Sequence, residues 1–183
     1  IATPHPLSAM SVERSTLAKS FSLRGATAVV TGGTQGLGKA IVEALCHHGC
    51  RVYTCARTAS DVETCVDDWR ARGYDVEGCV CDVSDANARE ELARRVSEKF
   101  SGEVNILVSN VGFNIRKPTV EFTSEDYQRL MRTNLEASFE LCKRFHAMLK
   151  ASGDGRIIFN SSVAGLVSMQ SGALYAMSKA AMN

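Results

Sequence analysis

From Gly25 onward, short runs of β-branched and apolar residues alternate with longer stretches in which apolar positions recur every three or four residues. The first pattern fits strands and the second fits amphipathic helices. The strands predicted span residues 26–31, 51–55, 75–81, 105–109 and 156–160. Helices fall between them at residues 37–48, 60–72, 87–100 and 124–151. Ala40, Ile41, Ala44 and Leu45 give the first helix an apolar stripe, and Thr123 with Asp126 has the spacing of a capping box opening the last. Strands separated by helices of this length need crossover connections, which are right-handed, so the expected fold class is α/β, an open doubly wound parallel sheet.

Residues 1–24 read differently. Ser8, Ser11, Ser15, Ser20 and Ser22 stand among Arg14, Lys19 and Arg24 with one acid, Glu13, and no apolar core. That composition is not a secretory signal; it resembles the tail of an organellar transit peptide or a disordered leader. The division expected is therefore a leader, 1–24, and one globular domain, 25–183, and the leader points to a plastid or mitochondrion with the cytoplasm as the alternative. At 183 residues and 45% hydrophobic composition the chain can bury one real core. Lys and Arg total 21 against 20 Asp and Glu, so no net field would capture nucleic acid or an anionic membrane. No apolar run approaches the roughly 20 residues of a membrane span. The seven cysteines are odd in number and lack a framework rhythm, which implies free thiols in a reducing compartment. The Asn160-Ser161-Ser162 sequon then carries little meaning.

The first strand runs directly into Thr31-Gly32-Gly33-Thr34-Gln35-Gly36-Leu37-Gly38, and a helix follows. Glycines there let the backbone turn tightly and approach a pyrophosphate, whose charge meets the free N–H groups of the helix N-terminus. Gly33 to Lys39 also matches part of a triphosphate-binding loop, but Ala40 stands where that loop needs a Ser or Thr hydroxyl for magnesium. The strand-loop-helix setting favours the dinucleotide reading.

This Thr-Gly-x-x-x-Gly-x-Gly sequence resembles the signature of the short-chain dehydrogenase/reductase family, and the wording at Val52 to Arg57 and Trp69 to Cys81 is similar to plant tropinone reductases. The resemblance extends from Gly25 to Asn183 and implies a Rossmann-like fold, here lacking the usual C-terminal strands. It implies a nicotinamide dinucleotide held by Gly32, Thr34, Gln35, Gly36, Leu37 and Gly38. At the end of the second strand Ala56 occupies the position of the acid that binds the ribose hydroxyls of NAD, and Arg57 follows. A guanidinium grips a 2′-phosphate that a carboxylate would repel, so the cofactor expected is NADP(H). Asp82 and Val83 resemble the family's adenine-contacting turn. Ser109-Asn110-Val111-Gly112 resembles its Asn-Asn-Ala-Gly, with Asn110 and Gly112 matching and Ser109 replacing an asparagine that ties the central strands in relatives.

Tyr175 and Lys179 stand four apart and so share a helix face. A nearby ammonium favours phenolate over phenol, which suits a proton donor. With Ser162 thirteen residues before the tyrosine, and Asn134 in the long helix, they look like the family's catalytic tetrad. By resemblance, Tyr175 would protonate a carbonyl oxygen, Ser162 would orient it, Lys179 would tune the tyrosine and hold the nicotinamide ribose, and Asn134 would anchor a relay water. No metal is expected, because Cys46-His47-His48-Gly49-Cys50 points its adjacent histidines apart. Met169 and Met177 are candidates for a substrate pocket or for core filling.

The function expected is an NADP(H)-dependent oxidoreductase acting on a small-molecule carbonyl substrate, with no nucleic acid and no membrane insertion. A homo-oligomer is expected. The alternative is a catalytically silent, family-derived structural or docking subunit of a larger complex. Family members continue past the Tyr-x-x-x-Lys helix, so Lys179 is expected in a fraying last turn and the fifth strand at an open sheet edge.

Overall fold

The computed structural model describes residues 21–167 and 172–183. The proposed leader therefore lies almost entirely outside the described residues, as does Met169. Five parallel strands form one sheet: β1 (Thr27–Thr31), β2 (Arg51–Ala56), β3 (Val76–Val80), β4 (Ile106–Ser109) and β5 (Arg156–Phe159). Their order is β3-β2-β1-β4-β5. The chain thus winds outward from β1 in one direction, then returns to build the other half, as the alternation of patterns predicts.

The crossovers are α1 (Gly36–His47), α2 (Ala59–Ala71), α3 (Ala86–Lys99) and the pair α4 (Ser124–Met131) and α5 (Ala137–Ala151), with α6 (Ala173–Ala180) after β5. Two apolar clusters cover the two sheet faces. Val42, Val62, Val66 and Trp69 pack on Ala28, Val30 and Val52, while Leu92, Val96, Leu141 and Phe145 pack on Val29, Leu107 and Cys55. Neighbouring residues of β1 thus serve opposite faces, and all five of its residues are buried, as a central parallel strand requires.

The predicted 124–151 helix is not uniform. Residues Arg132–Glu136 form a π-helical turn between α4 and α5. One extra residue is accommodated there, which rotates Asn134 inward to complete burial. Thr123 and Asp126 form the expected capping box at the start of α4, where Lys117 also pairs with Asp126.

Other expectations meet a mixed outcome. β5 is exposed along its whole length, with Ile157 and Ile158 each nearly half accessible. Lys179, although in the last turn of α6, is only 3% exposed and donates to the Asn160 carbonyl at 2.6 Å. Its side chain is pinned rather than frayed, because the amine finds its partner in β5's C-terminal loop. Among the described residues no helix is long and apolar enough to cross a membrane, and no cluster of His, Cys, Asp or Glu could hold a metal. The seven cysteines carry no disulfide.

Candidate active site

A cleft of about 570 Å³ opens at the C-terminal ends of the strands, where β1 and β4 send their connections to opposite faces. That switch point is where open α/β sheets bind ligands. Its walls bring together Gly32, Thr34, Gln35, Leu37, Gly38, Arg57, Asp82, Val83, Asn110, Gly112, Tyr175 and Lys179, all singled out from sequence. Gly36 belongs to the same loop. Asn134 and Ser162 stand behind or beside these walls.

The loop after β1 depends on its glycines in two ways. A Cβ at Gly38 would collide with the Gly32 carbonyl, and one at Gly33 with the Thr54 hydroxyl, so α1 can lie against the sheet only without side chains there. Gly36 instead has φ +54° and open space around the Cβ position, which leaves bare backbone at the start of α1. Gln35 gives no side-chain cap, and the first turn holds no acid. The free N–H groups and positive dipole end of α1 therefore face the cleft uncompensated, an arrangement suited to a pyrophosphate.

At one end of the cleft, β2 finishes at Ala56, and Arg57 is exposed. Across from it, Asp82 accepts from the Ser84 amide at 2.9 Å and the Ser84 hydroxyl at 2.7 Å. Burial raises its carboxyl, but these two bonds and the Arg57 charge outweigh that and hold it below the ordinary value. The Val83 carbonyl accepts from buried Arg89 at 2.7 Å, and the same guanidinium reaches Glu136 of the π-turn at 3.4 Å.

Asn110 ties the sheet together. Its amide group donates to the Thr31 carbonyl at 2.8 Å and the Gly32 carbonyl at 3.2 Å, and its oxygen accepts from Asn160 at 2.8 Å. The ends of β1, β4 and β5 are thereby locked by one side chain. Ser109 pairs with the Ser138 hydroxyl at 2.8 Å instead, and Ser138 donates to the Asn134 carbonyl at 3.2 Å.

Asn134 is held by both ends of its carboxamide. Its oxygen accepts from the Phe113 amide at 3.0 Å, while its nitrogen donates to the Phe113 carbonyl at 2.9 Å and the Ser178 hydroxyl at 3.1 Å. Ser178 in turn donates to the Tyr175 carbonyl at 2.8 Å. The π-turn is thus bonded to α6 next to Tyr175. The Lys179 amine sits 5.8 Å from the Tyr175 ring centre, and its burial draws it below the ordinary lysine value. Gly112 leaves the space: a Cβ there would lie 3.3 Å from the amine.

Ser162 is half-buried and accepts from the Ala164 amide at 3.2 Å, which leaves its own O–H free to donate. Its neighbour Ser161 lines the cleft and donates to Asn183 at 2.7 Å. Met177 is half exposed. Sequence reasoning did not single out Ser178, Arg89, Phe113 or Arg129. Ser178 carried a signal, a small hydroxyl one turn after the tyrosine, whereas Arg89 looks like any helix-surface charge until the fold buries it.

A family model described as short chain dehydrogenase matches residues 26–183. The chain belongs to the short-chain dehydrogenase family. Within this oxidoreductase family it is tropinone reductase-like: a tropinone reductase homolog of Arabidopsis thaliana is 52% identical over 165 residues, covering 90% of this chain and 62% of that protein. Another Arabidopsis thaliana homolog, described as chloroplastic, is 48% identical over 163 residues, covering 89% of this chain and 51% of that one. A crystal structure of an actinorhodin polyketide ketoreductase with NADPH matches with a TM-score of 0.81 at 31% identity, covering 86% of this chain and 60% of that one. This short-chain dehydrogenase chain spans less than two thirds of the length of each.

Proposed function

We propose that the protein is an NADP(H)-dependent oxidoreductase that interconverts a small-molecule ketone and its secondary alcohol. The observation that carries this reading is the shared cleft: Tyr175 and Lys179, one helical turn apart, line the same cavity as the uncapped start of α1. The residues present fit a nicotinamide dinucleotide: the Gly36 backbone would hold its pyrophosphate, and Asp82 and Val83 would meet its adenine. Arg57, with Ala56 where an acid would stand, favours the 2′-phosphate of NADP. The ketoreductase solved with NADPH supports that choice by analogy.

When bound, NADPH supplies the hydride. Tyr175 gives its hydroxyl proton to the carbonyl oxygen during reduction and takes it back in the reverse direction. The free O–H of Ser162 donates to that same oxygen and orients it. The Lys179 ammonium favours the phenolate left after proton transfer, and its bond to the Asn160 carbonyl fixes its position. Asn134 keeps the π-turn against Phe113 and α6 and leaves acceptor capacity for a relay water.

Residues 25–183 are proposed as the dinucleotide-binding domain and 1–24 as the leader. The serine-rich basic composition of that leader and the chloroplastic description of one relative support a plastid. A groove running from α4 over the π-turn to α5, in which Tyr127, Met131, Leu135 and Phe139 stand among Gln128, Arg132 and Glu136, supports pairing with a second copy.

Steady-state turnover of small ketones by the natural protein, with NADPH and NADH at equal concentration, tests the reading. Ketone-dependent oxidation of NADPH, at least about tenfold faster than of NADH, is expected from one charge-assisted contact to the 2′-phosphate. Equal rates would overturn the NADP assignment, and no ketone-dependent oxidation of either would favour the silent-subunit alternative.

A further inference from the structure

The charges along the cleft are unevenly divided. Its lining carboxylates, Asp61 and Asp82, both stand at the Arg57 end. Near Tyr175 the lining charges are Arg129 and Lys179, both positive. The flanking sequence adds little negative charge: residues 110–118 hold Arg116 and Lys117, the latter paired with Asp126 of α4, and residues 160–183 contain Lys179 as their single charged residue.

Of the two lining cations, Lys179 is committed to the Asn160 carbonyl. Arg129 is different. Its guanidinium lies 5.0 Å from the Phe113 ring centre, and among the described residues it makes no ion pair or hydrogen bond. Its platform is firm, because the Phe113 backbone is bonded through both its N–H and its carbonyl to buried Asn134. Stacking on a ring leaves the N–H edge of a guanidinium free, and that edge matches a carboxylate with two parallel bonds. Thr133, four residues on in the π-turn, lines the same cavity. Helices α4 and α6 pack together, so this cation belongs to the Tyr175 side of the cavity.

We infer that Arg129 is a substrate-recognition residue, and that the preferred carbonyl substrate carries a carboxylate at a distance from the reacting carbonyl. This rests on the carbonyl-reductase reading above, in which α1 and Arg57 already meet the phosphates of the cofactor and leave Arg129 for the substrate. A ketone bearing a basic amine meets two cations at this end and is disfavoured.

Three small ketones of similar size test the inference: 4-oxocyclohexanecarboxylate, its uncharged primary amide, and N-methyl-4-piperidone. Their kcat/KM values are measured with NADPH on the natural protein at its full length and on Arg129→Gln. The wild type is expected to prefer the carboxylate over the amide by about tenfold or more, the scale of one hydrogen-bonded charge contact, and to use the amine least. Added salt should reduce that preference. Arg129→Gln should bring the carboxylate-to-amide ratio close to one while NADPH affinity, read by fluorescence titration, is retained. No carboxylate preference in the wild type, or an unchanged ratio in the variant, would overturn the inference.

If Arg129→Gln fails to bind NADPH and so is misfolded, the salt dependence of the wild-type ratio decides, and a salt-insensitive ratio overturns the inference. If no ketone is turned over, calorimetry of cyclohexanecarboxylate with the NADP-loaded protein replaces kinetics. Binding that Arg129→Gln abolishes would leave the anion site standing while overturning the reductase reading. Absent or Arg129-independent binding would overturn the site itself.

Discussion

Asn134 joins the π-turn to two other segments of the site. Its carboxamide binds Phe113 on one side and Ser178 on the other, and its carbonyl accepts from Ser138. Ser178, fully buried, is the only one of these partners that belongs to the Tyr175 helix. Ser178→Ala removes an acceptor from a buried amide nitrogen that has no solvent to turn to, and should destabilise the protein by about 1–3 kcal/mol. A urea midpoint shift checks this, and an unchanged midpoint would mean that the bond contributes nothing. The identities of Tyr175 and Lys179 were legible because a spacing of four places two side chains on one helix face. The bond from Asn134 to Ser178 was not legible, since 44 residues separate them and only the packed fold brings them together.

Two helix N-termini of opposite character frame the site. The start of α4 is closed: Thr123 accepts from the Asp126 amide at 3.1 Å, and Asp126 accepts from the Thr123 amide at 2.9 Å. The start of α1 is open, with neither cap nor acid. The difference follows from sequence, a Thr-x-x-Asp box in one case and a glycine-rich loop in the other, and it separates a structural helix from one whose dipole is left for a ligand. Thr123→Ala should cost about 1 kcal/mol of stability, because the Asp126 amide loses its acceptor. Thermal denaturation would show it, and since the cap lies outside the cleft, NADPH affinity should not move with it. The strands and most helix bounds were legible to within a residue or two. The π-turn was not: a single inserted residue barely disturbs apolar periodicity, and its effect, the burial of Asn134, appears only in three dimensions.

At the scale of the whole molecule, the order β3-β2-β1-β4-β5 places the phosphate loop, the Asn110 lock and the Tyr175 helix around one opening. Alternating strands and helices with right-handed crossovers made a doubly wound parallel sheet legible from patterning, whereas the order of the strands appears only in the fold. What patterning could not supply was the use of each polar group. Asn110, matched by resemblance to a cofactor-contacting motif, spends its carboxamide on β1 and on Asn160, while Ser109 bonds Ser138, so the tie between the strands is made by Asn110. Hydrogen-bond partners depend on ångström-scale placement of segments distant in sequence, and no local pattern encodes that.

We propose that this cleft binds NADPH and that Tyr175 delivers the proton. The most direct test is Tyr175→Phe in the natural protein, with NADPH binding followed by fluorescence and ketone reduction by NADPH absorbance. Binding within about twofold of wild type is expected, with turnover reduced by roughly 10²–10⁴-fold, the range that a positioned general acid supplies. Undiminished turnover in a variant that binds NADPH normally would contradict the proposal.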